Sequence, residues 1–321
     1  MQDQDQDQDH DHDRSRGSDR PITLAVIGGS GLGASLAALA EADAEPRLHE
    51  PSTPFGLPAA PIHEFRIGGL RLLTLQRHGA HHQFPPSSVP YRANIFALKQ
   101  LGATHLLASG AVGSLREELA PRDLVLVDQF IDRTRLRPLT FYEHAAVHVE
   151  FADPVCPVMS RWLQRAAAET PSPSDAGAVH PGGCYVCMEG PAFSTRAEAR
   201  MHRGIGGDLI GMTAMPEARL AREAELPYAL VAMVTDYDCW RPDPRQQAGE
   251  ASLLEEIIGN LQAATAAAVA LIRSAVTRPE ALREPSAAHQ ALTRAIWTPK
   301  NAIATEEVER LRPLWGRHFE S

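Results

Sequence analysis

Short apolar runs alternate with segments of helical periodicity along the middle of the chain, and this alternation constrains its fold most strongly. Runs of roughly four to eight apolar residues bounded by turn residues are typical of buried strands, whereas apolar residues spaced three and four apart are typical of helices. The predicted strands cover residues 22–27, 63–67, 70–76, 104–109, 124–127, 185–188, 209–212 and 228–235. The predicted helices cover residues 91–101, 154–169, 194–203, 213–224 and 250–276. Strands alternating with helices predict an α/β fold in which helices flank both faces of a largely parallel sheet.

The two ends of the chain set the boundaries of the folded domain. Residues 1–20 contain seven Asp and three Arg, with no aliphatic or aromatic group beyond the first residue, so burial cannot offset their ordering entropy. We expect a disordered acidic tail there and a single domain over residues 21–276, because neither a linker nor a repeat interrupts that stretch. Residues 277–321 are predicted to be a helical extension, with short helical patterns at 287–297 and 306–314 that prolines interrupt.

The composition argues against several classes of protein. The chain has 40 Asp and Glu against 31 Lys and Arg, a formal net charge of −9, whereas a nucleic-acid partner would require a basic face. The longest apolar run, 261–272, is alanine-rich and shorter than the ~20 residues that span a bilayer, so we expect a buried helix and no membrane partner. Four cysteines are too few for a disulfide scaffold. Cys184 and Cys187 are three apart, and if both belong to a strand they would point to opposite faces rather than form a redox pair. These features favour a protein of the cytoplasm.

The first predicted strand runs directly into a glycine-rich loop, Gly28-Gly29-Ser30-Gly31-Leu32-Gly33. Glycines let the backbone approach an anion closely, and the start of the following helix offers it free N–H groups. One interpretation is a phosphate site with Ser30 as a hydroxyl donor. The spacing also fits a dinucleotide fingerprint, which needs an acidic residue at the end of a second strand. Glu50 stands at a suitable distance, but no apolar run precedes it, and a purely structural turn is the third interpretation.

The predicted strand at 70–76 ends in a basic segment that contains Arg77, His78, His81 and His82. The arginine fork matches phosphate oxygens, and an imidazole can add a further hydrogen bond. Two neighbouring histidines could instead hold zinc, although no Cys or acidic residue stands nearby at ligand spacing. Solvated surface charge is the remaining interpretation, and the pattern favours anion binding.

Two further predicted strands end in polar residues. Thr213 follows the strand at 209–212 and precedes a predicted helix with an early proline, which is typical of an N-cap residue; it could also join an anion site at the strand ends. Asp236 and Asp238 follow the strand at 228–235 and stand beside aromatic residues. Such a pair can recognise an amino-bearing heterocycle or carry a proton, although a solvated turn or a divalent-metal site has the same composition.

Several longer segments together resemble the 5′-methylthioadenosine phosphorylases of the trimeric purine nucleoside phosphorylase family. The resemblance extends from about residue 22 to residue 272. The matching segments are GGSGLG at 28–33, RHGAHHQFPPSSVPYRANIFALKQLG at 77–102, SGAVGSLREELAPRDLVLVDQFIDRT at 109–134, RPLTFYEH at 137–144, ADPVCP at 152–157, EGPAFSTRAEA at 189–199, GMTAMPEARLAREAELPYA at 211–229 and TDYDCW at 235–240. Family membership implies a homotrimer whose subunit is a single α/β domain with a twisted mixed, largely parallel sheet flanked by helices.

The resemblance also implies a role for each matched polar residue. The phosphate site would be formed by Ser30, Arg77, His78, the backbone at Gly110 and Ala111, and Thr213. The nucleoside would contact Phe193 and Ser194 at the base, Met212 at the ribose, Asp236 and Asp238 at the purine, and His148 of a neighbouring subunit at the 5′ substituent.

The implied reaction is phosphorolysis, with inorganic phosphate as co-substrate and neither a metal nor a cofactor. Phosphate attacks C1′ while the base leaves, and Asp236, if protonated, would hydrogen-bond N7 as negative charge develops on the purine; His78 and Asp238 are the other implied catalytic groups. An aspartate at 236 favours adenine, because a carboxylate repels a 6-oxo group. The chain is therefore predicted to be a pentosyltransferase of purine and methionine salvage that acts on 5′-methylthioadenosine.

Other functions fit parts of the sequence. A phosphorylase for methylthioinosine or another 6-oxopurine nucleoside would share the fold, and the glycine loop alone would also suit a nucleotide-binding sensor or a nicotinamide-dependent oxidoreductase. The chain departs from the family at Gly110, where many members carry a phosphate-binding Thr, and at Ala192, where Arg is common. The segment at 142–148 is also shorter than in several members.

Overall fold

The structure is a computed structural model that describes residues 21–29, 32–38, 46–67, 69–170, 177–241 and 250–320. The expected acidic tail at 1–20 and the loop residue Ser30 lie outside the described residues. The strands are β1 (Thr23–Gly28), β2 (Arg47–His49), β3 (Ile62–Ile67), β4 (Leu70–Gln76), β5 (His105–Ser114), β6 (Leu124–Leu126), β7 (Gln129–Arg133), β8 (Val179–His180), β9 (Cys184–Met188), β10 (Leu209–Gly211) and β11 (Tyr228–Asp236). The helices are α1 (Leu32–Ala37), α2 (Tyr91–Gln100), α3 (Pro157–Glu169), α4 (Arg196–Gly204), α5 (Glu217–Glu223), α6 (Glu250–Val276), α7 (Thr305–Arg310) and α8 (Arg312–Trp315). The predicted α/β fold is confirmed.

One mixed sheet contains all eleven strands of the described residues. Its centre is parallel, because β4 pairs with β1, β1 with β5, and β5 with β11. Antiparallel neighbours surround this centre, with β2 and β3 beyond β4, β6 beside β11, and β10 beside β5. Every residue of β1 is buried, as expected of a strand covered on both faces.

β5 organises the sheet because its two ends have different neighbours along one edge. Residues 105–108 pair with β1, and residues 113–114 pair with β10 in the antiparallel direction. The carboxyl end of β10 therefore lies against the middle of β5, beside the carboxyl ends of β1, β4 and β11. Ligands of open α/β sheets bind beyond the carboxyl ends of the strands, so this region is where a site is expected.

Two apolar clusters hold the helices against the two faces of the sheet. One contains Phe96 of α2, Leu220 of α5 and Trp315 near the C-terminus. The other contains Leu36 of α1, Trp162 of α3 and side chains along α6. Alternate residues of β1 belong to the two clusters, as the pleat of a strand requires. The core thus occupies both faces, and the strand ends are left for a cavity.

α6 contains a stretch, Ile257–Val276, that is long and apolar enough by length and composition to cross a membrane. The sequence-based statement that no run reaches this length is therefore wrong. Ala264, Ala268 and Ile272 on this stretch are fully buried, because α6 packs against β11 and α3. A third of the apolar window (33%) is buried in the described structure, and Ile258 near its start is 46% exposed.

The predicted and observed elements differ mainly where prolines or exposed strands occur. The helix predicted at 213–224 begins at Glu217, and Pro216 occupies the capping position, so the interpretation of Thr213 as an N-cap residue is wrong. Residues 287–290 form a 3-10 turn in place of the helical pattern predicted at 287–297. β2 and β7 were not predicted, since most of their side chains are exposed or half-buried and carry no apolar signal.

The segment that follows α6 is tied to the rest of the chain through Glu225. The Glu225 carboxylate accepts hydrogen bonds from the backbone of Leu292 at 3.0 Å and from Arg317 Nε at 2.9 Å. The fully buried Trp315 packs on Tyr142, with 4.7 Å between the ring centroids. The residues after α6 therefore cover the core.

Glu223 makes a contribution to stability that depends on pH. Its carboxyl accepts a hydrogen bond from the Phe141 backbone at 2.8 Å, but burial outweighs this contact and raises its pKa from 4.5 to about 7. Because the pKa is higher in the folded state, the stabilisation is complete below pH 4.5 and is lost as the pH rises through about 7. Between about pH 5 and pH 8, Glu223 should lower the free energy of unfolding of the wild type by about 2 to 3 kcal/mol. We expect this part of the fall to be absent in Glu223→Gln. Urea unfolding at both pH values measures this; an unchanged fall in the variant would contradict it.

Candidate active site

A cavity of about 380 Å³ opens where β1, β4, β5, β10 and β11 converge. Residues 109–112 of β5 pair with β11 on one side, while on the other side β1 pairs only up to residue 108 and β10 only from residue 113. That edge of β5 is therefore open, and the same residues line the cavity. The predicted site residues that line it are Arg77, His78, Gly110, Ala111, Phe193, Ser194, Met212, Thr213, Asp236 and Asp238.

Arg77 lines the cavity although only 1% of its surface is exposed. Its Nε and Nη2 donate to the two carboxylate oxygens of Glu217 at 2.7 and 2.9 Å, and Nη1 donates to the Ser109 carbonyl at 2.8 Å. Burial opposes the charge, but Glu217 outweighs burial and raises the pKa of Arg77. A guanidinium carries five N–H groups, so one hydrogen on each terminal nitrogen remains for an anion.

His78 presents a neutral imidazole to the cavity. Its Nδ1 donates to the Phe84 carbonyl at 2.8 Å. Burial, together with the Arg77 charge, lowers the pKa of His78 from 6.5 to about 4. A neutral ring that donates from Nδ1 carries no hydrogen on Nε2, which is then an acceptor. His78 is therefore suited to a hydroxyl group, such as the remaining proton of hydrogen phosphate, rather than to a bare anionic oxygen.

Ser109 and Thr213 bring hydroxyl groups to the open edge of β5. A Cβ atom added to Gly110 would lie 3.4 Å from Thr213 Oγ1, which is an ordinary contact. The Thr213 hydroxyl therefore lies directly against β5. Ser109 Oγ is buried and has no hydrogen-bond partner among the described residues. A buried hydroxyl without a partner calls for a ligand or an ordered water. Ser109 is thus a further hydroxyl donor in the cavity, and it stands next to Gly110, which has no side chain that could donate.

Asp236 and Asp238 lie at the end of β11 and differ in their hydrogen bonds. Asp236 accepts from the Asp238 backbone N–H and from the Thr235 hydroxyl, both at 2.7 Å. Asp238 Oδ2 is buried and unpartnered among the described residues. Burial, together with the Asp236 charge, raises the pKa of the Asp238 carboxyl. Asp238 also has φ of 46°, in the left-handed region that non-glycine residues adopt mainly in turns and at functional sites.

Arg137 fixes the backbone that carries the remaining wall of the cavity. Its buried guanidinium donates to the carbonyls of Met212 at 2.7 Å and Glu189 at 2.8 Å. The Met212 carbonyl follows β10, and the Glu189 carbonyl follows β9. Phe193 and Ser194, which come a few residues after Glu189, line the cavity together with Met212. Phe193 is 83% exposed, so its ring is open to a ligand or to another protein surface.

His148 does not line the cavity of its own subunit. It is exposed, its backbone N–H donates to the Ala295 carbonyl at 2.9 Å, and its ring packs edge-on against Trp297, with 4.6 Å between centroids. A role for this residue in the cavity would therefore require a second copy of the chain. Ser30, the other predicted site residue that is missing from the lining, lies outside the described residues.

The arrangement of β1 and β2 argues against a dinucleotide site. β1 lies between β4 and β5, whereas the strand before Glu50 is β2, an exposed antiparallel strand beyond β3. A dinucleotide fold would place that acidic strand end directly beside β1. Cys184 and Cys187 lie three apart on β9, one half-buried and one buried, and neither forms a disulfide.

Sequence patterns did not indicate three residues that shape the cavity, namely Ser109, Arg137 and Glu217. Ser109 ends the strand predicted at 104–109, and its position at a strand end could have marked it. Arg137 and Glu217 act through partners that are distant in sequence, so no local pattern distinguishes them from surface charges.

Comparisons with known proteins place this geometry in context. Residues 23–277 match the sequence profile of the phosphorylase superfamily. The chain is 46% identical over 297 residues to an S-methyl-5′-thioadenosine phosphorylase of Thermosynechococcus vestitus, covering 92% of this chain and 99% of that protein. A methylthioadenosine phosphorylase from an Antarctic soil metagenomic library is similar in structure, with a TM-score of 0.83, 43% identity and coverage of 92% and 99% of the two chains. The methylthioadenosine phosphorylase of Schistosoma mansoni in complex with adenine gives a TM-score of 0.74 at 32% identity, covering 87% of this chain and 100% of that one.

Proposed function

This chain belongs to the phosphorylase superfamily, and on that premise we propose that it catalyses the phosphorolysis of 5′-methylthioadenosine. The products are adenine and 5-methylthioribose 1-phosphate, which makes the protein a pentosyltransferase of purine and methionine salvage. The observation that carries the proposal is that one cavity brings anion-binding groups and a pair of carboxyl groups together at the open edge of β5. Phosphorolysis needs both, because phosphate attacks one side of C1′ while the base leaves from the other.

The phosphate end of the cavity is assigned to the groups around residues 109–112. Oxygens of the anion would accept hydrogen bonds from the free hydrogens of Arg77, from the hydroxyls of Ser109 and Thr213, and from backbone N–H groups at Gly110 and Ala111. His78 Nε2 would accept the remaining phosphate hydroxyl. Ser30, which lies outside the described residues, is proposed from the resemblance as a further hydroxyl donor to the same anion. These groups act by holding the nucleophile in line with C1′ and by stabilising charge.

The base end is assigned to the carboxyl pair, with Asp238 carrying the proton. Its unpartnered Oδ2 and raised pKa support a neutral carboxyl that donates to N7 of the purine. Asp236 accepts two hydrogen bonds and has lone pairs left for the 6-amino group of adenine. The resemblance implied the N7 contact for Asp236, so the proposal assigns that contact to Asp238 instead.

The bond changes balance without a metal or a cofactor. A phosphate oxygen forms a bond to C1′ as the bond from C1′ to N9 breaks, and the electron pair of that bond stays on the purine. The Asp238 proton moves to N7, so adenine leaves as a neutral base. The positive charge that develops on the ribose lies next to the phosphate dianion, which stabilises it.

The proposed assembly is a homotrimer located in the cytoplasm. Large apolar side chains are exposed at Leu136 (78%), Phe193 (83%) and Trp297 (69%), and such groups are often covered by another subunit. A neighbouring copy would bring His148 to the 5′ substituent. Light scattering of the purified protein tests this assembly, since a trimer has three times the 34.9 kDa of one chain.

Release of free base from four nucleosides tests the proposed reaction. The purified protein is incubated with 5′-methylthioadenosine, adenosine, methylthioinosine and inosine, each with and without phosphate. The proposal predicts adenine release that requires phosphate and is fastest from 5′-methylthioadenosine. Faster hypoxanthine release would support the 6-oxopurine alternative, and no release from any nucleoside would contradict an enzymatic role.

A further inference from the structure

We propose that His82 is a further ligand of the phosphate, contributing a second imidazole on the solvent side of His78. The assignment rests on the proposed function, because it adds a residue to the same phosphate site. The family resemblance assigned no role to His82, and the basic segment that contains it suggested anion binding only in general terms.

The first support is the position of the His82 ring. His82 lines the cavity, and its ring stacks on that of His78 with 4.4 Å between centroids and 20° between planes. His78 is itself held by the hydrogen bond from Nδ1 to the Phe84 carbonyl. The stack therefore keeps the second imidazole beside the first at the phosphate end. His82 and its neighbour His81 are both exposed, but His81 does not line the cavity.

The second support is the backbone conformation of the turn. His82 has φ of 56° and Gly79 has φ of 81°, and the His82 N–H donates to the Gly79 carbonyl at 3.2 Å. The Phe84 N–H closes the turn by donating to the His78 carbonyl at 3.1 Å. Left-handed conformations cost free energy in non-glycine residues and are concentrated at ligand sites and switches. The turn thus holds His82 in a conformation that the chain would not adopt without local constraint.

The third support is the charge balance of the cavity. Glu217 compensates the charge of Arg77, His78 is neutral because burial lowers its pKa to about 4, and the other end carries Asp236 and Asp238. Among the described lining residues, His82 is the remaining basic side chain. An imidazole N–H can donate a hydrogen bond to an anion. His82 is therefore the remaining basic side chain that can donate a hydrogen bond to an arriving phosphate.

The test compares His82→Asn with His81→Asn as a matched control. Asparagine tolerates the left-handed region, so the turn is kept while the imidazole is removed. For His82→Asn we expect the KM for phosphate to rise about tenfold, the effect of losing one charge-assisted hydrogen bond. The KM for 5′-methylthioadenosine should change by less than about twofold, and His81→Asn should match the wild type. Titration calorimetry with inorganic phosphate at constant ionic strength should show the same tenfold loss of affinity.

The outcomes separate this assignment from the proposed function. Phosphate-dependent base release by the wild type, with an unchanged phosphate KM in His82→Asn, would overturn the assignment and leave the function intact. An equal rise in both KM values would also overturn it, since that indicates general disruption of the cavity. Base release without phosphate, and no phosphate binding in the calorimeter, would overturn the function and the assignment together. His82→Gln repeats the comparison if the asparagine variant does not fold.

Discussion

Asp238→Asn is expected to lower kcat for 5′-methylthioadenosine by about 100-fold or more, within the range of about 10²–10⁴ that a placed proton donor contributes. The Asp238 carboxyl is half-buried, its Oδ2 has no partner among the described residues, and its pKa is raised by burial and by the Asp236 charge. An amide at this position keeps the shape and can hydrogen-bond N7, but it cannot transfer a proton to the leaving purine. The KM should therefore change little, and adenine release at saturating phosphate measures the effect.

Asp236→Asn is the matched control, and a different result is expected from it. An amide fits there, because its oxygen can still accept a hydrogen bond from the Asp238 N–H. Its nitrogen would face the Thr235 hydroxyl, and that hydroxyl can donate to the Val112 carbonyl, which lies at 3.2 Å. The amide N–H would favour a 6-oxo group, so the preference should move from adenine toward hypoxanthine nucleosides with a smaller loss of kcat. Equal losses in the two variants would contradict the assignment of the proton to Asp238. An unchanged preference in Asp236→Asn would contradict the base contact of that residue.

Glu217→Gln is expected to lower the free energy of unfolding by about 3 kcal/mol and to weaken phosphate binding as well. Arg77 and Glu217 are each 1% exposed and form a two-point ion pair, and the Tyr228 hydroxyl donates to the same carboxylate at 3.0 Å. Removing one member of a buried ion pair costs about 3 to 5 kcal/mol because the other charge stays buried without compensation. A glutamine accepts from only one of the two guanidinium nitrogens, so Arg77 also loses its fixed direction toward the phosphate. Urea unfolding and the KM for phosphate measure the two effects.

Glu223→Gln is the control on the same helix, α5. Glu223 is also buried, but its carboxyl has a raised pKa of about 7 and its hydrogen bond comes from the Phe141 backbone rather than from a buried cation. At about pH 7.5 its replacement should leave the phosphate KM close to that of the wild type and should not lower stability, because the variant avoids the loss that ionisation of Glu223 causes. A similar loss of stability in both variants would show that any buried carboxyl on α5 is needed, which contradicts a specific role for the pair of Arg77 and Glu217.

The fold was largely predictable because most strands of this sheet are buried on both faces. The runs at 70–76 and 228–235 consist mainly of apolar residues between turn residues, and the structure places β4 and β11 there with bounds that differ by at most one residue. β2 and β7 lie at the edges of the sheet, where half-exposed side chains carry no apolar pattern. The start of α5 was misplaced because Thr213 has the chemistry of an N-cap residue, whereas the structure uses it in the wall of the cavity.

The position of the cavity was predictable from strand ends, but its internal contacts were not. Ligands of α/β sheets bind beyond the carboxyl ends of strands, and Arg77, Thr213 and Asp236 each stand at the end of a predicted strand. The ion pair between Arg77 and Glu217 joins residues 140 positions apart, and no local pattern reports such a contact. The difference between Asp236 and Asp238 arises only from burial and hydrogen bonds that exist after folding.

The open edge of β5 is likewise a property of the sheet rather than of any segment. It exists because β1 stops pairing at residue 108 and β10 begins at residue 113 on the same side. The apolar run of β5 gives way to Ser109 and Gly110 at this point, but the sequence does not show where the neighbouring strands stop pairing. Ser109 could have been marked as a strand end, but the opening that residues 109–112 line becomes recognisable only from the arrangement of three strands.

Phosphorus NMR of the reaction mixture tests the central claim most directly, because it shows where the phosphate goes. The purified protein is given 5′-methylthioadenosine and inorganic phosphate, and adenine release is followed in the same sample. Phosphorolysis predicts one new sugar 1-phosphate for each adenine released, with an equal loss of inorganic phosphate. Adenine released with no new phosphate ester would contradict the account, because water rather than phosphate would then be the nucleophile.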